Sequence, residues 1–123
     1  TPNMKKAFDE IYKLANKKTL IKIMLYAKNS YKNFMLELTK NRYEAQKGCP
    51  VVYKVNKIDV ENLIKNKFKI QKISQDFIFP YKLKPYKNNI YKKIKHFTYM
   101  PPKIFTKLSH EIGEHLLIKL KKI

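Results

Sequence analysis

The chain has 123 residues, 44% of them hydrophobic, which is enough apolar material to pack one domain or part of one. Its formal net charge is +19. No run approaches the roughly 18 apolar residues of a membrane span, and the N-terminus lacks a signal-peptide pattern, so neither is expected. The single Cys49 excludes an internal disulfide. We therefore expect a reducing, cytoplasmic setting in which Cys49 is an inert small hydrophobe.

The charge by itself favours a nucleic-acid partner, because a pI near 10 is typical of proteins that bind phosphates. However, the excess is nearly all lysine, and Arg42 is the only arginine. Recognition of phosphates and bases relies heavily on the planar arginine side chain. Binding of RNA or another polyanion is therefore kept as an alternative function rather than the leading one.

The N-terminal third predicts a helix, a buried strand and a second helix. Leu20–Ala27 is almost continuously apolar, which is typical of a strand covered on both faces. Apolar residues recur every three or four positions in the flanking segments Asn3–Lys17 and Tyr31–Lys40. Thr1 followed by Pro2 predicts the start of the first helix. Helix, strand and helix in this order indicate an α/β layer.

The rest of the chain alternates between the same element types, with one irregular segment. The predicted order is a loop over Asn41–Pro50, an extended piece over Val51–Val55, a helix over Asn56–Asn66, a strand over Phe68–Phe79 with a bulge or twist near Ile73, an irregular insertion over Tyr81–Met100, a helix from Pro101 to Gly113, and a strand over His115–Leu120.

Three stretches carry a resemblance to a known family. AFDEIYKLANKKTLIKIMLYAKNS is similar to the helix, turn and fifth strand of class I S-adenosylmethionine-dependent methyltransferases. KFKIQKISQDFIFPY and MPPKIFTKLSHEIGEHLLIKLKK resemble the last two strands of a small-molecule-type subgroup of that family. The resemblance covers nearly the whole chain, and the order and spacing of the motifs carry it more than any single motif.

The resemblance implies the C-terminal portion of a Rossmann-like methyltransferase sheet, with strands five, six and seven and their flanking helices. The family sheet has the strand order three-two-one-four-five-seven-six, with the seventh strand antiparallel. On this pattern Leu20–Ala27 is the fifth strand and Lys67–Phe79 the sixth, and His115–Lys121 is the seventh strand between them.

The same resemblance implies that the cofactor-binding half is not in this chain. The family holds S-adenosylmethionine with a glycine-rich loop, whereas this chain has only Gly48 and Gly113, and Lys17-Lys18 replaces a pair of glycines. His96 and Glu114 stand where tryptophans are expected. We therefore expect the chain to begin just after the fourth strand. The uncovered edge of the fifth strand then predicts self-association.

Ligands of open α/β sheets bind beyond the carboxyl ends of the strands. The substrate-binding residues, for a small-molecule methyl acceptor, are therefore predicted to be Thr1, Pro2, Tyr26, Asn29 and Tyr31. Thr1 and Pro2 resemble residues near the transferred methyl group, although a plain helix cap explains them equally well. No catalytic residue is identified.

Other candidate residues have simpler explanations. His96, His110 and His115 lack metal-ligand spacing, and no metal site is predicted. Asp76 could serve as a base, but a hydrogen-bonded carboxylate is the commoner outcome. Tyr81–Met100 could be a lid over an acceptor pocket, an RNA-contacting platform of rings and cations, or a solvated loop. A non-catalytic interaction domain is the third alternative for the chain.

Overall fold

A computed structural model of the chain describes residues 3–38 and 53–123. The predicted α/β class is confirmed, because helices alternate along the chain with the strands of a mixed four-stranded sheet. The elements in chain order are α1 (Met4–Leu14), β1 (Leu20–Ala27), α2 (Tyr31–Leu38), β2 (Lys54–Val55), α3 (Lys57–Ile64), β3 (Phe68–Asp76), α4 (Leu83–Lys87), α5 (Lys95–Thr98), α6 (Pro102–Ile112) and β4 (His115–Lys122). The predicted loop Asn41–Pro50, with Gly48 and Cys49, lies outside the described residues.

The sheet has the order β2-β1-β4-β3. β4 runs antiparallel to both β1 and β3, whereas β2 pairs in parallel with β1. The predicted position of the last strand, antiparallel and between the other two long strands, is thereby confirmed. The edge of β1 away from β4 was expected to be unpaired. The short strand β2 lies at this edge, where it pairs only with Tyr26 and Ala27.

The two faces of the sheet differ, and this corrects the expectation that β1 is covered on both. Exposure alternates along β1, so that Ile21 is buried while Met24 is 46% exposed. The alternation of buried and exposed positions along β1 was not visible in the sequence, because leucine and methionine also occupy outward positions. We call the side with Ile21 the inner face and the side with Met24 the outer face.

Helices α1 and α3 supply the side chains that cover the inner face. Phe8 of α1 packs edge-on against Phe68 of β3, with 6.3 Å between ring centroids. Val60 of α3 is fully buried in the same cluster as Ile118 and Leu120 of β4. A side-chain ion pair between Lys67 and Asp9 also joins α1 to the start of β3. This cluster is the main core of the described residues.

Polar side chains begin the first three helices. The Asn3 side chain accepts a hydrogen bond from the Lys6 N–H, so Asn3 is the N-cap of α1 in place of the predicted Thr1. Ser30 accepts from the Asn33 N–H at the start of α2. Asn56 begins α3 as predicted, and it forms a reciprocal capping box with Asp59.

Strand β3 ends three residues before the predicted Phe79. Phe77 has a positive φ of 66°, which breaks the extended backbone, and its N–H is held by the Asp76 carboxylate at 2.8 Å. The predicted irregularity is present, since the pairing register shifts between Ile70 and Lys72.

Gly113 ends α6 as predicted, but the reason is close packing. Its φ is −63°, which any residue adopts. A Cβ atom there would lie 2.2 Å from the Ser109 carbonyl oxygen and 2.4 Å from the Asp76 carbonyl carbon. Only glycine therefore lets the end of α6 approach the end of β3 this closely.

The predicted irregular insertion contains two short helices, α4 and α5, which the sequence did not predict. An isolated bridge between Tyr81 and Lys93 closes the base of this segment. Both helices are five residues or shorter, too short to show a helical period. Within the described part of the chain, no helix has the length and apolarity required to cross a membrane.

Candidate binding site

A cavity of about 530 Å³ lies between α2 and the segment that follows β3. Tyr31 and Lys32 reach it because only three residues separate the end of β1 from the start of α2, and Phe79 reaches it because β3 ends at Asp76. The cavity therefore lies beyond the carboxyl ends of two strands, where α/β sheets bind their ligands. The uncharged part of its wall consists of Tyr31, Met35, Phe79, Tyr81, Pro85 and Ile94.

The aromatic wall is held by edge-to-face ring contacts. Phe79 lies 5.5 Å from Tyr81 and 4.8 Å from Tyr86, measured between ring centroids. On the other side, Tyr31 contacts Phe97 at 5.1 Å. Such perpendicular pairs are favoured by the ring quadrupoles, and they leave flat ring surfaces available to a ligand.

Behind this wall lies a buried ion pair. The Lys32 Nζ is 3.4 Å from Glu114 Oε2, and the two side chains are only 12% and 5% exposed. The same ammonium lies 4.8 Å from the centroid of the Phe79 ring. The backbone of Glu114 is fixed, since its N–H donates to the Phe77 carbonyl at 2.7 Å. Glu114 thus balances the charge of Lys32 on the side away from the cavity, and the Lys32 ammonium stabilises the position of the Phe79 ring.

Besides its lysines, the cavity has two polar side chains, Tyr31 and His96. The Tyr31 hydroxyl lies 3.4 Å from His96 Nε2. Burial raises the pKa of the Tyr31 phenol, so this group remains protonated at neutral pH. When Nε2 carries no proton, the phenol can donate a hydrogen bond to it.

A second aromatic group lies on the outer face of the sheet. Phe77 stacks on His115 with centroids 5.0 Å apart and planes 18° apart, and Tyr26 lies 6.1 Å from His115. His115 Nε2 is 3.8 Å from Glu114 Oε1, an attraction that requires a protonated imidazole. Glu114 therefore lies between the two aromatic groups.

The outer face also carries a row of lysines. Lys22 is paired with Lys119, which is paired in turn with Lys72, and all three side chains are exposed. Directly opposed like charges weaken a sheet, so this row raises the free energy of folding unless an anion is bound. A shallow cavity of about 410 Å³ with Met24 and Leu117 in its wall adjoins the row.

The structure separates the predicted substrate residues. Tyr31 lines the cavity of about 530 Å³ between α2 and the segment after β3, which we call the aromatic cavity. Tyr26 belongs instead to the aromatic group with His115 on the outer face of the sheet. Asn29 lines a different cavity of about 370 Å³, and its carbonyl accepts from Gln75. Thr1 and Pro2 lie outside the described residues.

Sequence reasoning missed Phe79 and Lys32 as site residues. It considered His96 as a departure from the family pattern and as a histidine without metal-ligand spacing, but not as a binding residue. Lys32 directly follows Tyr31, so its proximity was available from the sequence. Phe79 was assigned to the strand, and it reaches the cavity only because β3 ends early. The pairing of Lys32 with Glu114 joins residues 82 positions apart, and no local pattern indicates it.

Neither a glycine-rich loop nor a cluster of metal-binding side chains is present among the described residues. Gly113 is the only glycine among them, and it packs against the Asp76 backbone instead of opening a phosphate- or nucleoside-binding loop. Within residues 3–38 and 53–123, no three His, Cys, Asp or Glu side chains cluster closely enough to hold a metal ion.

Comparison with known proteins gives no relative for this chain. No protein-family model matches the sequence. No curated protein matches it. No solved structure matches its fold.

Proposed function

We propose that this chain is the acceptor-binding, C-terminal part of an S-adenosylmethionine-dependent methyltransferase that acts on a small molecule. The observation that carries the proposal is the sheet order β1-β4-β3, with the last strand antiparallel and central. The sequence resemblance implied this arrangement for strands five, seven and six. The aromatic cavity beyond the carboxyl ends of β1 and β3 supports it as well.

In this proposal, the chain binds and orients the acceptor. Tyr31 and Phe79 offer ring surfaces to a flat apolar molecule, and Met35 adapts to its outline. His96 lines the same cavity, so its imidazole is the group we assign as proton acceptor for the methyl acceptor. S-adenosylmethionine supplies an already activated methyl group, so alignment of the acceptor is the main task left to the protein.

The test compares the 123-residue chain with a longer protein that includes the coding sequence upstream of Thr1. We expect a strand and a glycine-rich turn in that upstream sequence. Calorimetry should then show micromolar binding of S-adenosylmethionine by the longer protein and none by the 123-residue chain. Absence of binding by the longer protein, or micromolar binding by the short chain, would contradict the proposal.

A second candidate function is favoured by the lysine row on the outer face. Lys22, Lys119 and Lys72 lie side by side near exposed Met24 and Leu117, an arrangement that suits the phosphate backbone of RNA. The row also has rings close by, since the Tyr26, His115 and Phe77 group lies on the same face, and bases stack on such rings.

The two candidates can be separated by charge-matched variants. The triple variant Lys22→Gln, Lys72→Gln, Lys119→Gln should reduce RNA affinity far more than Lys5→Gln, Lys6→Gln, Lys103→Gln, which removes three exposed lysines from α1 and α6. Equal losses in both variants would indicate the diffuse, salt-sensitive attraction expected of any strongly basic protein. That result would remove the support for an RNA-binding function.

A further inference from the structure

The aromatic cavity has a one-sided charge distribution. Of its ten lining residues, none is Asp or Glu, while four are Lys32, Lys82, Lys84 and His96. Lys32 is balanced by Glu114 behind the wall. Lys82 and Lys84 are exposed and form no ion pair with a described residue. The uncompensated positive charge at this cavity therefore comes from its exposed lysines.

Size and wall chemistry restrict the ligand further. A cavity of about 530 Å³ is within the range of roughly 300–1,000 Å³ that holds drug-sized molecules. The Phe79 and Tyr81 rings are 76° apart, so a flat ring system can stack on one of them and meet the other edge-on. A bound cation would contact aromatic rings but would also meet the lysines at the same cavity, which would repel it.

We propose that the cavity binds a flat, apolar molecule that carries one carboxylate, with the rings against Phe79 and the carboxylate toward Lys82 and Lys84. The role of this ligand as the methyl acceptor rests on the proposed function. Binding of such an acid does not require methyl transfer, so the two can be tested separately.

The experiment titrates the 123-residue chain with two probes of nearly equal shape and opposite charge, 2-naphthoate and 2-naphthylmethylammonium. Naphthalene fluorescence reports binding at low ionic strength. The acid should bind more tightly than the amine. The double variant Lys82→Gln, Lys84→Gln should weaken binding of the acid by roughly fivefold, as expected for two charges several ångströms away in a largely aqueous dielectric. The same variant should not weaken binding of the amine.

The matched control is Lys5→Gln, Lys6→Gln, which removes two exposed lysines from α1 and so has the same net charge as the cavity variant. This control should leave the affinity for 2-naphthoate within about twofold of the unmodified chain, since neither lysine lines the cavity and charges in solvent are screened by salt. A loss equal to that of the cavity variant would mean that the acid follows net charge alone, and the inference would be wrong. Tighter binding of the amine would also overturn it.

The apolar contact is tested by Phe79→Ala, with circular dichroism to check that the sheet is retained. We expect at least a tenfold loss of affinity for 2-naphthoate, because the ring against which the ligand stacks is removed. Phe79→Leu keeps an apolar side chain and should lose less. If the longer protein transfers methyl groups but the chain does not prefer 2-naphthoate, only this inference fails. If the preference is found without methyl transfer, only the proposed function fails.

Discussion

The sheet core and the aromatic segment, residues 77–98, are built in opposite ways. In the core, β4 exchanges backbone hydrogen bonds with a long strand on each side, and aliphatic side chains such as Ile118 and Leu120 are almost completely buried. In the aromatic segment, two helices of five residues or fewer are joined by irregular chain, and edge-to-face ring pairs hold it together. The core provides stability, whereas the segment provides a wall for a ligand.

The difference shows why one polypeptide can combine rigidity with a binding surface. Aliphatic burial and paired strands stabilise the core against local opening. The backbone hydrogen bonds within the segment join residues close in sequence, such as the Lys82 N–H and the Lys92 carbonyl. Tyr91 remains 64% exposed although it contacts two other tyrosines. We expect the segment to open at lower free energy than the core, as binding regions commonly do.

The largest effect should come from breaking the core. Leu120→Ala removes a fully buried side chain and should lower the free energy of unfolding by about 2–5 kcal/mol. Chemical denaturation monitored by circular dichroism measures this loss. Leu117→Ala is the matched control on the same strand, because Leu117 faces outward and is 40% exposed. Equal losses in the two variants would mean that the outer face is covered as fully as the inner one.

The next effect concerns the junction between the two regions. Gly113→Ala places a Cβ within 2.4 Å of backbone atoms of Ser109 and Asp76, so α6 and the end of β3 must separate. Overpacking of this kind costs about 1–3 kcal/mol in unfolding free energy. Thr106→Ala on the exposed face of α6 is the control and should be nearly neutral. An unchanged denaturation midpoint for Gly113→Ala would show that this contact can relax freely.

A smaller and more local effect is expected within the aromatic segment. Phe79→Ala removes ring pairs with Tyr81 and Tyr86, which contribute roughly 0.5–1.5 kcal/mol each. Amide hydrogen exchange should accelerate in the segment and remain unchanged at Ile118 in the core. Tyr99→Ala, at a side chain 78% exposed, is the control. If Phe79→Ala also accelerates exchange at Ile118, the two regions unfold as one unit.

Regular elements were predictable because their signals are local. Apolar spacing located α1 and α2, and Asn56, predicted as the start of the next helix, is the N-cap of α3. The position of β4 between β1 and β3 followed from the family resemblance rather than from any residue spacing. The exposed outer face was missed because Met24 and Leu117 are apolar residues at outward positions.

The site was less predictable because its contacts are distant in sequence. Tyr31 was identified because it follows a strand end, and it does line the aromatic cavity. Its contact with His96 spans 65 positions, and Phe79 reaches the cavity because the backbone at Phe77 takes a positive φ. A bulky residue with that φ is uncommon, so no propensity argument places the end of β3 at Asp76.

The smallest effect concerns the titration of Tyr31 at the wall of the cavity. Burial raises the pKa of this phenol above its ordinary value of 10.0. Below that pH the phenol is protonated in the folded and unfolded states alike. As the pH rises through the folded-state pKa, the unfolded state has already released its proton, so stability falls. Tyr31→Phe removes this dependence, and the gap in melting temperature between Tyr31→Phe and the unmodified chain should change between pH 9 and 11. Tyr99→Phe, which removes a phenol from a ring 78% exposed, should show a smaller change. Equal pH dependence in the two variants would mean that the Tyr31 phenol is as well solvated as that of Tyr99, and that the wall of the cavity is open to water.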